Sequence, residues 1–262
     1  MMELCAAPVV LDLSGPALRA AWDRLAADAE PSGGVGACVR LLSLKATLFS
    51  EQLGGGRVAG LDETGFVELC GFIAPARRRA GGWIAAHGYP VLRARLTRLL
   101  SGPNDAASLD ARMGAFVGAF AAEGSHRWAR DLAAEALHFT APDDVPLMTR
   151  WLWDAATGTG VLREIWHEAD DFPDGPPVAD GSATFMALYE ELGGFLRANG
   201  AFRDLTLLTG LLCAHVYAGY IDRCGGAYLK TQFGAPPDPM AHTRRLLGLD
   251  AAALRHARRT AA

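Results

Sequence analysis

Apolar positions along this chain recur at helical spacing, and no segment alternates apolar and polar residues with the period of a half-buried strand. The predicted fold is all-α: a single compact bundle of about a dozen helices spanning residues 1–262. Start and stop signals agree with the periodicity. Ser14 precedes "GPALRAAWDRLAADA" as an N-cap with Pro16 in the first turn, and Pro31 to Gly34 ends that helix. "CVRLLSLKATLFSEQL" runs to three glycines, and Asp62 caps the next helix, which Pro75 closes. "RRRAGGWIAAHG" and "PVLRARLTRLLSG" read as two short helices, the second opened by Pro90. A long helical stretch from about Ala107 to Phe139 is interrupted at Gly124 and Ser125.

Beyond it, "DDVPLMTRWLWDA" reads as a helix with acidic caps and Pro146 in its first turn. "GVLREIWHEAD" is a short helix leading into the Pro- and Gly-rich stretch 169–181, read as a surface excursion and not a domain boundary. Long helices follow over 182–199 and about 202–230, and the tail 239–262 reads as short basic helices. Leu205 to Ile221 carries no formal charge and is apolar almost all the way round. It is short for a membrane span and contains Thr209, Gly210, His215 and two tyrosines, so the prediction is a buried central helix and no membrane.

Composition narrows the class. Half of the 262 residues are apolar and 21% are charged, which is globular. The basic residues are 23 Arg and 2 Lys, Lys45 and Lys230. That skew, with abundant Ala and Gly, matches the codon bias of a GC-rich bacterial genome, so arginine content by itself is no nucleic-acid signal. The five cysteines are scattered without CxxC spacing, which argues against a disulfide framework or a zinc ribbon. "MMELCAAPVV" has no basic leader region, and the compartment expected is the cytoplasm.

Charge is segregated. No acidic residue lies between Glu68 and Asp105, whereas Arg77, Arg78, Arg79, Arg93, Arg95 and Arg98 all do. From 239 onward the tail has five Arg against Asp250 alone. These arginines either recognise an acidic protein partner or simply fringe the apolar stripe of Val91, Leu92, Leu96, Leu99 and Leu100. No helix-turn-helix pattern, phosphate loop or interleaved aromatics accompany them, which argues against nucleic acid.

Glu-x-x-His occurs three times: Glu123 with His126, Glu135 with His138, and Glu164 with His167. Eleven Glu and seven His in 262 residues give a chance expectation of roughly 0.3, and this spacing is the one helical di-iron proteins use. Gly124 and Ser125 break the first pair, and the third lies off the apolar face of its helix. Glu135 falls within the stripe of Trp128, Leu132 and Phe139, where a carboxylate must be paired, protonated or metal-bound. Its ordinary partner is expected among Arg127, Arg130, Arg150 and Arg163. His215 projects on the same side of its helix as Asp222 and is either a hydrogen-bonded core histidine or a member of a cluster with Glu135.

Other resemblances to motifs fail on context. "DDFPD" (Asp170, Asp171, Asp174) sits in a proline-rich loop where its aspartates cannot share a helical face, and "TGTG" at 157–160 is too short for a phosphate loop. No GxSxG elbow is present. Two functional expectations follow. The first is a non-catalytic cytoplasmic helical accessory protein with no cofactor, an assembly or interaction factor. The alternative is a metal-dependent, di-iron carboxylate-type oxidoreductase, with iron or another divalent metal held by Glu135, His138, His215 and Asp222. Glu164, His167, Glu190 or Glu191 would complete its second metal.

Overall fold

The computed structural model describes residues 9–120, 126–224 and 238–250. The protein is all-α: the described residues form eleven α-helices and no sheet, with two isolated bridges, Leu13 to Trp166 and Asp154 to Thr159. The helices are α1 (Gly15–Ala29), α2 (Gly34–Leu53), α3 (Glu63–Cys70), α4 (Ala80–His87), α5 (Tyr89–Leu99), α6 (Ala106–Gly118) and α7 (His126–Thr140). They continue as α8 (Val161–Glu164), α9 (Ser182–Ala198), α10 (Leu205–Cys224) and α11 (Ala241–Leu246). The caps read from sequence are made: Ser14 accepts from the Ala17 backbone N–H, and Asp62 from that of Gly65. Asp105 caps α6 in the same way.

Two corrections concern which helices are interior. α10 begins at Leu205, and its first half is buried from Leu207 to His215, but its last turns, apart from Ala218, are half-exposed or exposed. It is the one described helix long and apolar enough to cross a membrane by length and composition, and 56% of its most apolar window is buried within the protein. The most enclosed helix is α7, where every residue from Asp131 to Phe139 is buried. Its sequence reads as amphipathic because Asp131, Glu135 and His138 interrupt the apolar stripe, yet neighbours surround all three. α2 and α6 pack against α7, and the alanines at 129, 133, 134 and 136 let those helices approach closely. Phe49 of α2 meets Phe139 of α7 with ring centroids 5.6 Å apart. Each such fully buried ring contributes roughly 1.5–3 kcal/mol through its removal from water.

The helix expected over "DDVPLMTRWLWDA" is absent. Residues 141–160 form turns, and Pro142 and Pro146 each disfavour the α conformation for the residue before them, Ala141 and Val145. Side-chain anchors hold this segment instead. Trp153, 1% exposed, donates from Nε1 to the Val178 carbonyl at 3.1 Å, which ties the 169–181 loop to the core. The "TGTG" stretch is where the two loops cross. A Cβ on Gly158, at φ +61°, would sit 2.2 Å from the Asp174 carbonyl oxygen.

The C-terminal described stretch, 238–250, folds back over α2, α10 and the turns after α3. Met240, Leu247 and Leu249 are buried there, and Gly248 ends α11 in the left-handed conformation at φ +70°. Its α-carbon presses on residue 72, so that a Cβ would lie 1.7 Å from the Phe72 carbonyl oxygen. Gly248→Ala is expected to destabilise the protein by more than about 2 kcal/mol, from strain and collision together, read as a lower urea midpoint. An unchanged midpoint would show that this close approach is not maintained in solution.

Candidate functional site

Glu135 meets Lys45, not an arginine. Lys45 projects from the middle of α2 and is 2% exposed, and its Nζ lies 2.6 Å from Glu135 Oε2. The same ammonium donates to the Phe72 carbonyl at 2.9 Å and the Leu247 carbonyl at 2.8 Å, so all three of its donors are used. It also lies 4.0 Å from the centroid of the Phe139 ring. Burial lowers the Lys45 pKa and raises that of Glu135, and each charge opposes the shift of the other. The four arginines expected as partners are employed elsewhere or, for Arg127, exposed. Arg130 pairs with Asp180, Arg150 with Asp131 and Asp154, and Arg163 bonds to backbone carbonyls.

The remaining candidate ligands are also separately engaged. His138 is 1% exposed, with Nδ1 2.7 Å from the Val145 carbonyl. Burial pulls its imidazole from 6.5 down to about 4, so the ring is neutral and fastens the 142–146 turn to α7. His215 is 5% exposed. Its Nδ1 is 3.1 Å from Thr243 Oγ1 on α11, and its Nε2 is 3.2 Å from the Asp28 carboxylate at the end of α1. Burial lowers the His215 pKa, with Asp28 opposing the shift. Asp222 instead meets His242 at 2.8 Å, so α11 is fastened to α10 twice. Glu164 pairs with Arg223, and His167 is half-exposed between Asp12 and Glu168. Glu190 and Glu191 are exposed on α9, Glu123 lies outside the described residues, and so does the side chain of His126.

Glu135, His138, His215 and Asp222 therefore do not converge. Among the described residues no three His, Cys, Asp or Glu side chains are grouped to hold a metal ion. The arrangement Asp28–His215–Thr243 has the order of a carboxylate, imidazole and hydroxyl relay. Thr243, however, is 0% exposed and lines neither of the clefts described below, so this relay opens onto no substrate site.

The arginines do assemble, but not as the sequence grouped them. Residues 71–79 form successive turns, with the Arg77 N–H bonded to the Ile73 carbonyl at 3.0 Å. This displays Arg77, Arg78 and Arg79 around a cleft of about 400 Å³, which Arg245 of α11 completes. Among the described residues Asp250 is the one acidic residue lining it, 2.8 Å from Arg77. Arg78, Arg79 and Arg245 are exposed and in no ion pair among the described residues. The other three basic candidates do not line this cleft. Arg93 reaches the Leu61 carbonyl over the Tyr89 ring, and Arg95 reaches the Ala119 carbonyl while stacking on Trp83 and Phe120. Arg98 is exposed on α5.

Sequence reasoning missed Lys45, although a signal existed. In a chain with 23 Arg, a lone lysine inside "LLSLKATLF" marks a place where arginine does not serve. Compared with known proteins, the chain matches no family model, no curated protein and no solved structure.

The buried polar groups can be tested by substitution and by pH. Lys45→Met leaves the Glu135 carboxylate and two carbonyls without a donor and is expected to cost about 3–5 kcal/mol in urea unfolding. Lys45→Met with Glu135→Leu should cost clearly less than the sum of the single changes, and simple additivity would show that the pair is not coupled. His138 makes a defined contribution to the pH dependence, and His215, whose pKa burial also lowers, acts in the same direction. Because the His138 pKa is depressed to about 4 in the folded protein, the unfolded chain takes up its proton first as pH falls. The stability this residue contributes is complete above pH 6.5 and is lost progressively down to about pH 4, on the order of 3 kcal/mol in all. His138→Asn should flatten the curve of stability against pH across that window, and an unaltered slope would refute the assignment.

Proposed function

We propose that the chain is a non-catalytic helical accessory protein of the cytoplasm that binds an acidic protein partner at the cleft lined by Arg77, Arg78, Arg79 and Arg245. The observation that carries this reading is the imbalance at that cleft, where four guanidinium groups face one carboxylate. Inside the core, by contrast, Lys45, Glu135, Asp131 and His138 answer one another or the backbone. A cationic cleft of this kind steers an acidic chain segment and accepts its carboxylates in paired hydrogen bonds. Two segments distant in sequence build the cleft, so its recognition surface depends on the docked C-terminal stretch. The cytoplasmic setting is supported by the free thiols Cys38, Cys70, Cys213 and Cys224, which suit a reducing compartment.

A fluorescently labelled oligoglutamate peptide tests the reading. Wild-type protein should bind it with an affinity that weakens as salt rises. The triple variant Arg78→Ser, Arg79→Ser and Arg245→Ser should bind at least about tenfold more weakly, a loss of roughly 1.4 kcal/mol shared among three exposed charges. All three side chains are exposed, so the unfolding midpoint should stay unchanged. Equal binding by the variant, or displacement of the peptide by duplex DNA at matched charge, would overturn the proposal.

A further inference from the structure

A second cleft, of opposite charge, opens between α9, α10 and the 142–146 turn. Its volume is about 230 Å³. Asp143 and Asp144 on the turn and Glu190 on α9 are exposed around it, and Arg197 is the one basic residue among its lining groups. None of these four is in an ion pair among the described residues.

Carboxylates around a hollow would by themselves be no more than a solvated rim. What distinguishes this hollow is a buried polar group along its inner wall. Thr209, on the first half of α10, lines the cleft, is 1% exposed, and its hydroxyl has no hydrogen-bond partner. Tyr189 of α9 lines the same wall. Its hydroxyl is shielded and makes no hydrogen bond of good geometry, although the Leu147 backbone lies near. A buried hydroxyl left unsatisfied is destabilising, and Val at position 209 would fill almost the same volume without that defect. A polar atom kept at such a cost points to a ligand that satisfies it.

From this juxtaposition we infer that the cleft binds a small molecule carrying a protonated amine. The ammonium lies among Asp143, Asp144 and Glu190, a polar group of the ligand meets the Thr209 hydroxyl, and its carbon skeleton lies against Met186 and Leu205. An organic cation fits better than a metal ion, because these carboxylates are not grouped closely enough to ligate one ion. The wall is pre-formed, since His138 holds the Val145 carbonyl and so fixes the turn that carries Asp143 and Asp144. Burial also lifts the Tyr189 phenol well above its usual value, which keeps it a neutral donor. Free amines and amino acids share this chemistry, and Arg197 separates them, because only an amino acid has a carboxylate for it to hold.

The test is thermal unfolding and calorimetry of the full chain with putrescine, spermidine, glucosamine and the standard amino acids. At least one amine should raise the unfolding temperature saturably. Asp143→Asn with Asp144→Asn, and separately Thr209→Val, should each weaken that ligand by at least about tenfold. Thr209→Val without ligand should unfold at the same or a higher temperature than wild type, which separates loss of binding from loss of fold. Arg197→Gln weakening the ligand identifies an amino acid, and Arg197→Gln without effect identifies a simple amine; both support the site. No saturable shift with any member of the panel would overturn the inference, as would unchanged binding by Thr209→Val.

Discussion

The fold turns on one buried ammonium. Lys45 offers three donors in a roughly tetrahedral arrangement, and the chain supplies three acceptors from positions far apart in sequence: the Phe72 carbonyl, the Glu135 carboxylate and the Leu247 carbonyl. Taking both charges out of water costs several kcal/mol per ion, so the pair is tolerable only when every donor is met. That requirement acts as a register device. The turns after α3, the middle of α7 and the segment after α11 must all arrive at the same point on α2. Arginine cannot substitute here, because its planar fork does not project three donors around a point.

The other interior polar groups work in the same way at lower stakes. Asp131 receives Arg150, His138 holds Val145, and His215 holds Thr243 beside Asp28. Each joins a helix to a segment that packs poorly on its own: the irregular 141–160 stretch, or the short α11. With no sheet among the described residues, no strand ladder organises their loops. Here, side chains projecting from buried helices accept and donate the bonds that keep those loops in place. Residues that looked like candidates for metal chemistry are thereby committed to structure.

Part of the exposed charge lines two clefts of opposite sign. One gathers Arg77, Arg78, Arg79 and Arg245, and the other gathers Asp143, Asp144 and Glu190. The basic cleft adjoins the Lys45 centre through Arg77, whose charge reaches both Lys45 and Glu135. The acidic cleft adjoins α7 through His138. Both proposed binding surfaces thus rest on segments that the buried polar contacts hold in place, which makes their shape sensitive to core substitutions that touch neither ligand.

Much of the secondary structure was legible along the chain. Periodicity identified the all-α class, and Ser14, Asp62 and Pro90 marked helix starts that the structure keeps. These are local effects, settled within a turn or two of backbone. The sequence also exposed Glu135 as a carboxylate in an apolar stripe and His215 as a polar residue in an apolar helix, because burying either group carries a penalty visible from composition alone. What answered those penalties was decided in three dimensions. Lys45 is 90 residues from Glu135, and Thr243 is 28 from His215, so no spacing rule could pair them. The same holds for α7, whose polar residues disguise the most enclosed helix, and for 143–155, where prolines and tertiary anchors overrode a helical pattern. Local propensity is worth tenths of a kcal/mol per residue, whereas satisfying a buried charge is worth several. Where the two conflicted, the buried charge prevailed and local preference gave way.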